Sequence, residues 1–318
     1  MKHVVITGGS GFIGSHLCER FLNEGYAVTA LDNFITGRRQ NVADLTRNPH
    51  FQLVECDVSE SIPIQQIRFL EDGLSGVLHF ACPASPVDFK RIPFEILAVD
   101  SAGTAKTVKL AKEYDCRYLL ASTSEIYGDP LVHPQDESYF GNVNTLGPRA
   151  CYDEAKRFAE TYVSSAMRED APLNAAIVRI FNTYGPRMRP DDGRIIPEFM
   201  SEALKGGVLP ICGDGTQTRS FCYVSDLIEG IFRLFESEHR TVVNLGNPDE
   251  RSVKEIAEII LRMTGNRSDL GHVPPRQDDP RRRCPVIARA QTLLGWQPTV
   301  SLDEGLKATL AYFQSEGT

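Results

Sequence analysis

The chain has 318 residues, an apolar fraction of 42% and a formal net charge of −8. That length supports one large α/β domain or two smaller ones around a sizeable core, and the acidic balance argues against a nucleic-acid partner while leaving room for an anionic small molecule. No apolar run approaches the ~18 residues that span a bilayer, and the opening MKHVVITGG enters a strand at once, so neither a signal peptide nor a membrane partner is expected.

In chain order, HVVIT reads as a short β-branched strand, and GGSGFIGSHLCERFLNEG as a glycine turn entering an amphipathic helix. YAVTALD is the next strand, closing on Asp32. Further strands are predicted at Phe51–Glu55, Val77–Ala81, Tyr118–Thr123 and Ala175–Ile180, with helical patterns at Pro93–Tyr114 and Pro148–Arg168 between them. Alternating β and α elements with near-continuous apolar strands predict an α/β fold: a Rossmann-type, doubly wound parallel sheet. Past Gly185 the pattern turns irregular and rich in proline and arginine. The expected organisation is a dinucleotide-binding domain over 1–183 with about 221–248, and a smaller C-terminal α/β substrate-binding domain over 184–220 and 249–318.

Gly8, Gly11 and Gly14 stand between the first strand and the first helix. A tight turn, a close backbone approach and a helix N-terminus together suit a pyrophosphate. Asp32 is placed to accept hydrogen bonds from an adenosine ribose and to repel a 2′-phosphate, which favours NAD over NADP. Arg38 and Arg39 nearby leave some tolerance for NADP. Eight cysteines lie scattered without a CxxC pair and seven histidines show no partner spacing, so reduced thiols in a cytoplasmic protein, with no metal, are expected.

GPRACYDEAKRFAE puts Tyr152 and Lys156 four apart, on one helix face. A lysine ammonium and a positive nicotinamide ring are expected to lower the tyrosine from its usual ~10, making it a base for a substrate hydroxyl. Thr123 ends the preceding strand, followed by Ser124 and Glu125. An ionised carboxylate there must be paired, hydrated or used. Glu125 is read as bonding a sugar or a water beside Thr123, or as capping the turn before Gly128.

TGGSGFIGSHL, LDNFITGRR, STSEIYGD, YDEAK, RIFNTYGPR, QTRSFCYVSDL and NLGNP occur in the order shown by the extended short-chain dehydrogenase/reductases that modify nucleotide sugars. The chain resembles that group over essentially its whole length. HFACPASPVDF and FNTYGPRMRPDDGR are similar to its UDP-glucuronate decarboxylase branch, where Thr-Ser-Glu stands as at Thr123, Ser124 and Glu125. The resemblance implies NAD held also by Phe12, Ile13, Asn33, Phe34, Thr36, Gly37, Asp57, Val58 and Phe80. It implies a UDP-sugar held by Ser85, Thr123, Asn182, Arg189, Arg194, Gln217, Arg219 and Arg283, and a homodimer.

Arg283, with Arg282 as the fallback, falls on the arginine expected in the active site beside Tyr152, Lys156, Thr123 and Glu125. Cys284 and Val286 depart from the Lys and Asp usual there, and Ala98, Val99 and Asp100 replace a typical Lys-Thr-Asn. A UDP-sugar 4-epimerase is the alternative within the class, and an NAD-sensing scaffold the alternative outside it.

Overall fold

Seven parallel strands form the central sheet of the computed structural model, which describes all residues except 266, 267, 276, 317 and 318. In chain order the first six are β1 (His3–Thr7), β2 (Ala27–Asp32), β3 (Phe51–Glu55), β4 (Gly76–His79), β5 (Arg117–Thr123) and β6 (Ala175–Ile180). The seventh is Val242–Leu245, and the spatial order runs Val242–Leu245, β6, β5, β4, β1, β2, β3. Val5 pairs with both Thr29 of β2 and Val77 of β4, so β1 is central. The predicted strands are all present, three of them with the expected bounds.

Both faces of the sheet are covered, which is why its strands read as unbroken apolar runs. Val4 and Ile6 face a layer containing Phe21, Phe235 and Trp296, whereas Val5, Val77 and Leu120 face Val108, Ala159 and Val163. The layers are helical: α1 (Phe12–Asn23), α4 (Thr104–Glu113), α5 (Ala150–Ala166) and α7 (Val224–Glu236), with α2 (Pro86–Arg91), α3 (Pro93–Ala98) and α6 (Ile195–Lys205) between them in sequence. The expected continuous helix over Pro93–Tyr114 is broken. A π turn at Val99–Gly103 separates α3 from α4 and rotates the faces before and after it.

A third apolar cluster unites Met188, Phe199, Ile211, Ile256, Leu306 and Phe313, apart from the sheet's two layers. Around it the chain forms a small three-stranded sheet in which Thr218–Ser220 lies between Glu250–Ser252 and Arg282–Arg283. This register sets Arg283 beside Arg219. Since a strand alternates its faces, Arg282 is exposed and Arg283 is buried.

A Cβ at Gly14 would lie 2.0 Å from the Gly8 carbonyl oxygen, and Gly8 itself has φ +69°. Gly14→Ala is therefore expected to cost about 2–3 kcal/mol and to weaken dinucleotide binding. Thermal unfolding with and without NAD checks both effects.

Candidate active site

The cleft opens at the C-terminal ends of the strands, where the turn after β1 meets α1. Gly8 N–H donates to the Leu31 carbonyl at 2.7 Å, fixing the turn. Among the described residues no side chain caps α1 and its first turn carries no acid, so the helix end stays suited to an anion. A Cβ at Gly8 would meet the Phe80 carbonyl at 2.8 Å, so the cradle demands glycine. Asp32 is buried and accepts from Ser10 N–H and Phe34 N–H, each at 2.8 Å. Burial pushes its carboxyl up, and those two donors hold it down. A Cβ at Gly37 would collide with the Asp32 carboxylate.

Asn33, Thr36, Asp57, Val58 and Phe80 complete this side of the cleft, with Asn33 Nδ2 donating to Asp57 at 2.8 Å. These features fit NAD. Phe34 stands apart from the lining and carries the Arg39 guanidinium over its ring at 3.9 Å. Arg39 is paired with Glu55, and Arg38 with Glu316 at 2.9 Å, so neither cation is left uncompensated for a 2′-phosphate.

On the other side, α5 presents Tyr152 and Lys156 to the end of β5, both buried. Tyr152 stacks on Phe89 with centroids 4.9 Å apart, and the Thr123 hydroxyl hydrogen-bonds its phenol. Lys156 Nζ donates to the Ala121 carbonyl at 3.0 Å and lies 3.0 Å from Asp100 Oδ1. The lowering expected of Tyr152 combines Lys156 with a nicotinamide ring, and in the chain by itself the phenol is raised. Burial pushes the phenol up, and Lys156, which pulls it down, has its charge offset by Asp100.

Glu125 is engaged by two guanidinium groups. Arg283 approaches both carboxylate oxygens, at 2.5 and 2.7 Å, and Arg149 adds a contact at 2.6 Å. Burial would raise this carboxyl, but Arg149 and Arg283 hold it well below the usual range. Glu125 therefore neither caps the turn before Gly128 with its side chain nor stands free. The Thr123 hydroxyl accepts from Glu125 N–H instead. Asp153, next to this group, is pushed up to about 7, first by burial and then by the charge of Glu125.

Gly8, Gly11, Phe12, Ile13 and Gly14 line the cleft together with Ser85, Thr123, Glu125, Tyr152, Lys156, Asn182, Arg189 and Arg194. Arg189 pairs with buried Asp88 at 3.0 Å, and Arg194 with Asp192. Arg219 and Arg283 sit one layer behind the lining. Arg219 meets Asp279 at 2.8 Å, and Arg283 reaches the cleft through Glu125. Gln217 points elsewhere, its amide donating to the Cys212 carbonyl at 2.8 Å. Sequence reasoning missed Arg149, one helical turn before Tyr152, where an arginine opposite an unpaired strand-end acid was the available signal. It noticed Asp100 only as a departure, because the spacing gives no hint of its contact with Lys156.

The family model "NAD dependent epimerase/dehydratase family" matches residues 4–246. "UDP-glucuronic acid decarboxylase 1" of Danio rerio is 45% identical over 315 residues, covering 99% of this chain and 73% of the relative. "UDP-glucuronic acid decarboxylase 2" of Arabidopsis thaliana is 46% identical over 311 residues, covering 98% and 68%. Among solved structures, the UDP-glucuronic acid 4-epimerase of Bacillus cereus in complex with UDP-glucuronic acid and NAD superposes with a TM-score of 0.89 at 27% identity, covering 99% of each chain. The UDP-glucose 4-epimerase of Thermotoga maritima gives the same score at 28% identity, again over 99% of each chain.

Proposed function

The chain belongs to the NAD-dependent epimerase/dehydratase family, and we infer that within it the reaction is decarboxylation of UDP-glucuronate to UDP-xylose. The observation that carries this reading is near-full-length similarity, at 45–46% identity, to UDP-glucuronic acid decarboxylases. The site chemistry supports it.

NAD bound here would supply hydride-accepting and hydride-returning chemistry for C4 of the sugar, which would leave the cycle redox-neutral. Gly8, Gly11, Gly14 and Asp32 would hold it, with Asn33, Thr36 and Asp57 beside them. Tyr152 takes the proton from the 4-hydroxyl oxygen and later gives it back, while Thr123 orients the phenol and Lys156 supplies the nearby positive charge. With C4 a ketone, the sugar carboxylate is β to a carbonyl. The C5–C6 bond then breaks, its electron pair enters the ketone as an enolate, and carbon dioxide leaves. A solvent proton enters at C5.

Arg189 and Arg194, which line the cleft, are the cations for the diphosphate, with Arg219 adding positive charge from the layer behind and Asn182 and Ser85 beside the sugar. Arg283 acts from behind the lining, fixing Glu125 where the sugar would stand. The residues around the third apolar cluster, 184–220 and 249–318, form the sugar-nucleotide side, and the main sheet with its helices forms the NAD side.

A second copy is the partner for the exposed face shared by α3 and α5. Phe94, on α3, is 79% exposed, and Leu97 is open on the same helix. On α5, Phe158 and Tyr162 lie a turn apart with ring centroids at 6.2 Å. Such a contiguous patch marks an interface. No described helix is long and apolar enough to cross a membrane, and all eight cysteines are free thiols. Those thiols support the cytoplasm as the compartment, and recovery only in an exported fraction would overturn that.

Tyr152→Phe is expected to retain NAD while losing at least about a thousandfold in carbon dioxide release from UDP-glucuronate. Unimpaired release would remove Tyr152 from the mechanism. Phe94→Glu combined with Phe158→Glu is expected to give a monomer in sedimentation, and an unchanged dimer would place the interface elsewhere.

A further inference from the structure

Asp100 is a fully buried acid in the π turn between α3 and α4. Its Oδ1 lies 3.0 Å from Lys156 Nζ, and Cys82 Sγ donates to its Oδ2 at 3.1 Å. Lys156 is itself buried and is anchored on its other side by the Ala121 carbonyl. An ammonium and a carboxylate removed from water persist only when each is the other's partner and further hydrogen bonds complete both. Here Cys82 bonds the acid at Oδ2 and Ala121 the ammonium, while Oδ1 meets Lys156 as an ion pair and takes no further hydrogen bond. The wider π turn carries Asp100 inward at a junction where a regular helix would shift its face.

We propose that Asp100 is a positioning residue for the reaction, the buried counter-ion that fixes Lys156 beside Tyr152 and damps the field of its ammonium at the phenol. This role rests on the reading of Tyr152 and Lys156 given above. The charge that Tyr152 meets is that of a pair, smaller than that of an isolated lysine at the same place. The groups around Asp100 come from every packed element: Lys156, Tyr152 and Cys151 of α5, Cys82 beyond the end of β4, His79 of β4 and Tyr118 of β5. His79 is held neutral by burial, its Nδ1 meeting Thr7 Oγ1 at 2.8 Å. Burial raises the Cys82 thiol and the Tyr118 phenol, so both stay protonated. Lys156 and Asp100 are the ion pair beside Tyr152, and Arg194 of the cleft lining, itself paired with Asp192, is the further cation that acts on the phenol and is left unchanged by Asp100→Asn.

Asp100→Asn keeps the side-chain volume and an acceptor for the ammonium while removing the negative charge. The readout is tyrosinate absorbance against pH in the NAD-loaded protein, with Tyr152→Phe in each background subtracted to isolate Tyr152. The expected result is ionisation of Tyr152 about one pH unit lower in Asp100→Asn, a tenfold rise in tyrosinate at fixed pH. The acid limb of kcat/KM should move the same way, and Asp100→Glu should restore the original titration. A folded Asp100→Asn variant whose Tyr152 ionises at the same pH or higher would overturn the proposal. Should that variant not fold, nitrogen NMR of Lys156 in the unaltered protein decides. A charged amine through pH 10 supports the pair, and a neutral one at pH 9 overturns it. A shifted titration without turnover of UDP-glucuronate would leave the positioning role standing and sink the substrate reading instead.

Discussion

The Glu125 carboxylate, taken up by Arg283 from one element and Arg149 from another, ties the two sides of the cleft together. Arg149 sits just before α5, whose next turn carries Tyr152. Arg283 lies on the two-residue strand of the C-terminal sheet, next to Arg219. One buried acid at the end of β5 therefore sets where the sugar-nucleotide elements stand relative to the catalytic tyrosine. Burying such a charge costs several kcal/mol, and removing either arginine would leave part of that cost uncompensated.

The same logic recurs around the cleft. Arg189 is held by Asp88, Arg194 by Asp192 and Arg219 by Asp279. Each side chain is thereby fixed before an anionic substrate arrives, which lowers the entropy lost on binding. Parallel strand direction makes this possible, since it brings the ends of β1, β2, β4, β5 and β6 to a single edge. The glycine turn, Asp32, Thr123 and the polar run after Ile180 all meet there.

The sheet was legible because both of its faces are covered. Val4–Ile6 and Ala175–Val178 are short apolar runs bounded by polar residues, and their length suits a strand rather than a helix. The break at Val99–Gly103 was hidden, since FEILAVDSAGTAKTV keeps helical spacing on either side of it. The nucleotide turn and the Tyr152–Lys156 pair were readable as local motifs. Contacts between distant segments were not. The spacing of Asp100 from Lys156, or of Glu125 from Arg283, encodes nothing until the fold closes. The resemblance already favoured Arg283 over Arg282, and the strand pairing supplies the physical reason by burying one of the two adjacent arginines. The pull of the lysine on Tyr152 was legible in the four-residue spacing, whereas the burial that raises the phenol and the counter-ion Asp100, which comes from another element, were not.

The most direct measurement is turnover of UDP-glucuronate in heavy water with NAD present, followed by mass spectrometry and NMR of the nucleotide sugar. Decarboxylation through a C4 ketone predicts UDP-xylose with a single solvent deuterium at C5, carbon dioxide in equal amount, and no net NADH. A UDP-hexuronate of unchanged carbon count, inverted at C4, would contradict it and make the chain an epimerase.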